Sequence, residues 1–232
     1  MSSLAVPMPQ SQWSIGSQWI GAYVVGQAIC LATAAASYGL AVLIGANDPA
    51  AGAALKTIAL GLTIVTELIF AIAITTMRGL VLRQVLPAFP IRLWIVVIVA
   101  LMMLLHLAAG ASSLDPAAVR AKTEMTPGFF AIGLLMASIA GLIMGLIFGT
   151  VEALVVQRVA DGAMVWALMT GAAWSAGTVL MMAVGGVMLL YPGLSPAAIA
   201  IVGAATKIAG GAIVGLVTLP ALKGLRPRDR MA

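Results

Sequence analysis

Six stretches of this chain run for about 20 residues or more almost without charge, and no other feature of the sequence restricts its fold so strongly. An α-helix rises about 1.5 Å per residue, so each run is long enough to cross the ~30 Å hydrocarbon core of a bilayer. Composition points the same way. Of 232 residues, 62% are hydrophobic and 8% charged, against roughly a quarter charged in a soluble domain. A water-soluble fold of this size would lack the polar side chains to cover its surface. The expected class is an all-α polytopic bundle, a multi-pass membrane protein whose first partner is the lipid bilayer.

Hydropathy and turn signals place spans at 18–45, 55–77, 91–111, 129–156, 163–190 and 197–219. The chain then divides into an N-terminal interfacial segment (1–17), a six-helix transmembrane domain (18–222) and a basic tail (223–232). Charge alternates from loop to loop. Arg78, Arg83 and Arg92 surround the second-to-third turn, Arg158 and Asp161 mark the fourth-to-fifth, and Lys223, Arg226, Arg228 and Arg230 fill the tail. Loops 46–54, 112–128 and 191–196 are charge-poor or balanced. By the positive-inside rule both termini are expected in the cytoplasm. An Ala- and Gly-rich sequence with short loops suits a bacterial inner membrane.

The net charge of +5 does not imply a nucleic-acid partner, because the basic residues lie between apolar runs and do not gather on one surface. Cys30 is the single cysteine, so no intrachain disulfide forms. Residues 1–18 carry no Lys or Arg and precede an apolar run too long for a signal-peptide core. Asp48-Pro49, Asp115-Pro116, Thr126-Pro127 and Ser195-Pro196 each pair a good helix cap with Pro at the first helical position. The second of these is expected to open a short surface helix reaching Lys122. Trp13, Trp19, Trp94 and Trp166 fall near the expected membrane interfaces, where amphipathic rings are favoured.

Small residues recur every four positions along several spans, which places them on single helix faces. The fourth span carries Gly133, Ala137, Gly141, Gly145, Gly149 and Ala153; the sixth carries Gly203, Gly211 and Gly215 with Lys207 in the same register; the first carries Ala28, Ala32 and Ala36. Such faces let helix backbones approach closely and read as packing seams. The second and third spans also resemble the fourth and fifth. Each pair has an apolar helix ending in Gly79-Leu80-Val81-Leu82-Arg83 or Ala153-Leu154-Val155-Val156-Gln157-Arg158, a short turn, and an early Trp in the return helix. A duplicated hairpin, or two helices using the same interfacial anchors, would look alike, and the anchors are expected there anyway.

Two ionisable residues sit at mid-span: Glu67 in the second, on the stripe Ala59, Thr63, Glu67, Ala71, Thr75, Gly79, and Lys207 in the sixth. A bare charge at mid-bilayer costs about 3 kcal/mol on insertion scales, so a partner or a wet cavity is required. Both lie about a dozen residues from the outer end, at matching depth. They are expected to pair across a contact between the second and sixth helices, either as a site for a solute, ion or proton or as a strut. Thr63, Gln27, Trp174 and Ser175 are candidates for a polar pocket beside them. Glu152 and Arg158 read as interfacial or snorkelling charges.

His106, the only histidine, is a weak metal-ligand candidate, and no metal is otherwise expected. The pairs Met102-Met103 and Met181-Met182 read as flexible apolar packing, since no Cys or His accompanies them. A phosphate-binding loop, a nucleophile elbow and paired zinc ligands are all missing, so no catalysis is expected; the cofactor stays open. Trp174-Ser175-Ala176-Gly177 lacks the small residue and the matching His of an intramembrane serine protease. The six spans, with small residues on the first, resemble in architecture the substrate-binding subunits of energy-coupling-factor transporters. Two functional classes remain: a small transport component that binds a solute or ion near mid-bilayer, or an accessory subunit of a larger respiratory, photosynthetic or export complex, associated with other membrane subunits. The first requires a closed bundle with a polar cavity at Glu67, the second a solid core with an uncovered small-residue face.

Overall fold

In a computed structural model of the chain, residues 14–46, 48, 50–112, 127–190 and 193–228 are described. Six helices form: α1 (Ile15–Leu43), α2 (Ala53–Val85), α3 (Ile91–Ser112), α4 (Pro127–Val156), α5 (Ala163–Leu190) and α6 (Pro196–Gly224). Five of them are long and apolar enough, within the described residues, to cross a membrane. The chain is thus an all-α, multi-pass helical bundle. Trp13 and the segment from Asp115 to Lys122 lie outside the described residues.

Each helix packs on its sequence neighbours, and α6 returns to α1, so the six close into a ring. Packing is most extensive between α4 and α5 and thinnest between α3 and α4. Direct contact between α2 and α6 is at most marginal, because α1 lies between them. The Gly seam of α4 accounts for its intimacy with α5: a Cβ at Gly145 would stand 2.6 Å from Trp174 Cβ, and one at Gly149 2.7 Å from the Ala167 carbonyl. On α6, Gly211 and Gly215 press against Tyr23, Gln27 and Ile20 of α1, while Gly203 meets nothing. Ala28, Ala32 and Ala36 of α1 are exposed, so among the described residues no helix covers this stripe.

Two expectations about helix ends are corrected. Hydropathy stops the second span at residue 77, before Arg78; instead α2 continues to Val85 with Arg78 buried inside it, because the guanidinium finds partners within the bundle. Asp48 does not cap α2. Its Oδ1 accepts from the Ala50 amide at 2.8 Å, holding a local turn, and α2 starts after Gly52, whose β-region backbone needs no side-chain cap. Ser195 behaves as expected, accepting from the Ala198 amide at 3.2 Å ahead of Pro196.

One end of the ring gathers the α2–α3 and α4–α5 turns, the start of α1 and the end of α6, where Gly16 lies beside Leu219. Arg83, Arg92, Arg158, Lys223, Arg226 and Arg228 are exposed around it, making this the basic end. There the strand β1 (Ala160–Asp161) pairs antiparallel with β2 (Arg226–Pro227), enabled by a turn at Gly162 with φ +93°. Arg228 Nε donates to Asp161 Oδ1 at 2.7 Å. Both partners of that bridge are more than half exposed, so Asp161→Asn is expected to lower thermal stability by less than about 1 kcal/mol, as a melting curve in detergent would report.

Candidate functional site

The ring has a floor. Trp19, Trp94 and Trp166, each in the first turn or so of a helix that starts at the basic end, turn inward there and are fully buried. This corrects the expectation of an interfacial belt: an indole goes inside when its N–H is satisfied there. Trp19 Nε1 donates to Thr218 Oγ1 at 2.9 Å, Trp94 Nε1 to the Thr75 carbonyl at 3.2 Å, and Trp166 Nε1 to Glu152 Oε2 at 2.8 Å. Trp166 meets Trp19 and Trp94 edge-to-face, with centroids 5.3 and 6.4 Å apart.

Arg78 occupies the centre of this aromatic floor. Its guanidinium carbon lies 5.4 Å from the Trp19 ring, 4.8 Å from Tyr23 and 5.3 Å from Trp94. A bidentate bridge joins it to Glu152, Nη1 to Oε1 at 2.7 Å and Nη2 to Oε2 at 2.9 Å. Glu152 is 1% exposed, so it is neither snorkelling nor interfacial; Arg158 alone of that pair is exposed. The fork geometry, the aromatic faces and the extra indole donor together compensate burial of two charges.

A shared register organises the layers above. Four residues along each helix from the floor come Tyr23, Ile74, Ile98, Phe148, Thr170 and Val214, and four further come Gln27, Phe70, Met102 and Trp174. Another turn brings Cys30, Glu67 and Lys207 to one level, about 16 Å above the floor for 11 residues of α2 (78 − 67). Residues of all six helices line a central cavity of about 280 Å³ that reaches from Arg78 and Glu152 up to Glu67 and Lys207. Phe148 and Trp174 stack on its wall, centroids 4.8 Å apart.

Glu67 and Lys207 therefore share one cavity, yet they form no ion pair; the bridges among the described residues are Arg78–Glu152 and Arg228–Asp161. Their expected helix contact is replaced by α1, which carries Gln27 and Cys30 into the space between α2 and α6. Cys30 lies within electrostatic reach of both charges. Gln27 and Trp174 line the cavity. Ser175 instead bonds Ser138 at 2.9 Å across the α4–α5 seam, and Thr63 lines a second cleft, of about 200 Å³, between α1 and α2. That cleft also contains Glu67, Tyr38 and the hydrogen-bonded pair Ser37–Thr66, so Glu67 stands where the two spaces adjoin, toward the end opposite the floor. His106 lies on α3 where side chains are outside the described residues. No group of His, Cys, Asp and Glu suited to a metal occurs among the described residues.

Sequence reasoning misses the floor, although a signal is present. Arg78 and Glu152 immediately precede the matched segments at Gly79 and Ala153, so the two hairpins place opposite charges at equivalent positions. Thr218, on α6, accepts from Trp19 as Glu152 accepts from Trp166. Three helix pairs, α2–α3, α4–α5 and α6–α1, thus each contribute one tryptophan and one polar residue from the other helix of the pair to the floor. Comparison of the chain with family models, with curated proteins and with solved structures finds no match.

Proposed function

We propose that this protein is a non-enzymatic membrane transport component that binds a small solute near mid-bilayer, in the cavity between Glu67 and Lys207. The observation that carries this reading is the cavity itself: all six helices line it, the Arg78–Glu152 bridge stands at one end of it, and two opposite charges line it without forming an ion pair. A strut would require those charges to meet. Charges left apart in a low-dielectric setting are costly unless water or a ligand satisfies them. The basic end faces the cytoplasm in this reading, by the distribution of Arg and Lys, so the solute enters by way of the cleft at Ser37, Thr63 and Glu67. A bacterial inner membrane is its proposed location.

A subunit role draws support from one feature, the exposed Ala28, Ala32 and Ala36 face of α1, which is suited to another helix. The two roles are compatible, since a binding protein without a nucleotide-binding domain needs a coupling partner or an ion gradient to move solute. Native mass spectrometry from lipid nanodiscs is the test. A single chain carrying a bound small molecule is expected, with the added mass lost from Glu67→Gln and from Lys207→Met while the helical circular dichroism is kept. A chain recovered only with a fixed set of other subunits, and with no bound molecule, would overturn the binding reading.

A further inference from the structure

Resting on that reading of the cavity, we infer that the solute is a small zwitterion of the apolar amino-acid class, its ammonium on Glu67, its carboxylate on Lys207 and its side chain directed toward the floor. Three observations converge. The carboxylate of Glu67 and the ammonium of Lys207 stand at one level on opposite sides of α1, facing one cavity, more than a salt-bridge length apart. A singly charged ligand would neutralise one of them and leave the other, itself only partly exposed, without a counter-charge beside it. A molecule bearing both charges satisfies the two together and adds no net charge to the bilayer interior, where net charge is the costly quantity.

The wall below the charges supplies the second observation. Between the Glu67–Lys207 level and the floor it is mostly apolar, with Phe70, Met102, Trp174, Phe148, Ile98 and Val214 beside the polar groups of Gln27 and Tyr23, and it suits a hydrocarbon or aromatic side chain. The floor offers that side chain no free carboxylate, because Glu152 is engaged by both Arg78 and Trp166. Size is the third: about 280 Å³ lies at the small end of ligand sites, suited to one compact molecule and not to a peptide or a lipid.

The test uses the whole wild-type chain in nanodiscs, titrated by calorimetry with L-valine, L-leucine and L-phenylalanine, and with the matched single-charge analogues of leucine, 3-methylbutylamine and 4-methylpentanoate. At least one amino acid is expected to bind, and each leucine analogue to bind about ten- to a hundredfold more weakly than leucine for the lost charged hydrogen bonds. Location is read at Cys30, which lines the same space: a bound amino acid slows its reaction with methyl methanethiosulfonate. Two substitutions separate the ends, Glu67→Gln abolishing the advantage of leucine over 4-methylpentanoate, and Lys207→Met its advantage over 3-methylbutylamine. The assignment fails if an analogue binds as tightly as the amino acid, if binding leaves Cys30 unprotected, or if no amino acid binds. A native bound mass that persists in that last case would leave the cavity reading standing and remove the zwitterion alone.

Discussion

Glu152→Leu is expected to be the most damaging single substitution in the chain. It leaves the Arg78 guanidinium buried among Trp19, Tyr23 and Trp94 with no counter-charge, and it strips the Trp166 N–H of its acceptor. Removing one partner of a buried pair costs about 3–5 kcal/mol, mostly through the uncompensated charge left behind. Arg78 Nε already lacks a partner, so no spare acceptor stands ready to take the load. The double substitution Arg78→Met with Glu152→Gln is expected to recover most of that loss. Gln keeps a carbonyl acceptor for Trp166, and a thioether packs well against aromatic faces. Thermal unfolding of the three proteins in one detergent gives the comparison. Equal melting temperatures for the single and double variants would mean that the floor is held by its tryptophans and not by the ion pair.

The second large effect is expected on the α4–α5 seam. Gly145→Val introduces a branched side chain where even a Cβ would lie 2.6 Å from Trp174 Cβ and 2.7 Å from the Thr170 carbonyl. Neither obstacle is the free end of a flexible side chain, so the helices must separate, and overpacking of this kind costs about 1–3 kcal/mol. Separation would also move Trp174, and with it the cavity wall where it stacks on Phe148. Loss of ligand binding should therefore accompany the fall in melting temperature. Gly203→Ala is the control: nothing lies within 4 Å of its Cβ position, and Ala favours helix, so stability should hold or rise slightly. A Gly203→Ala protein as unstable as Gly145→Val would refute the close-packing account.

How much of this architecture is legible in the sequence depends on the kind of information each residue carries. Depth is readable, because hydrophobic length fixes the spans and residue number fixes height along them; counting alone places Glu67 and Lys207 at one level. Direction around the helix axis is not readable from residue type. Arg78 has the look of a turn residue, and Trp94 and Trp166 of interfacial anchors, since statistical preference assigns Arg and Trp to the headgroup region. Burial wins because each finds a specific partner across the bundle: Arg78 meets Glu152, Trp166 meets Glu152, and Trp19 meets Thr218. Such pairings join residues 14, 74 and 199 positions apart, and their one trace in the sequence is the matched placing of Arg78 and Glu152 before Gly79 and Ala153. The four-residue stripes are legible as seams, but not which of them the chain uses itself. Gly145 and Gly149 are buried against α5, while Ala28, Ala32 and Ala36 remain uncovered.

The arrangement of the floor has a consequence for biogenesis. Helix pairs α2–α3 and α4–α5 are contiguous, so each leaves the ribosome as a complete unit with its tryptophan and the partner helix together. The remaining pair is made of α1 and α6, translated with four helices between them. Until α6 has entered the bilayer, Trp19 has no Thr218 to receive its N–H, and the flank of α1 that α6 will cover lies open to lipid or to an insertion chaperone. Ring closure therefore waits for the synthesis of α6, and a ribosome stalled before Pro196 would leave the ring open on that flank of α1.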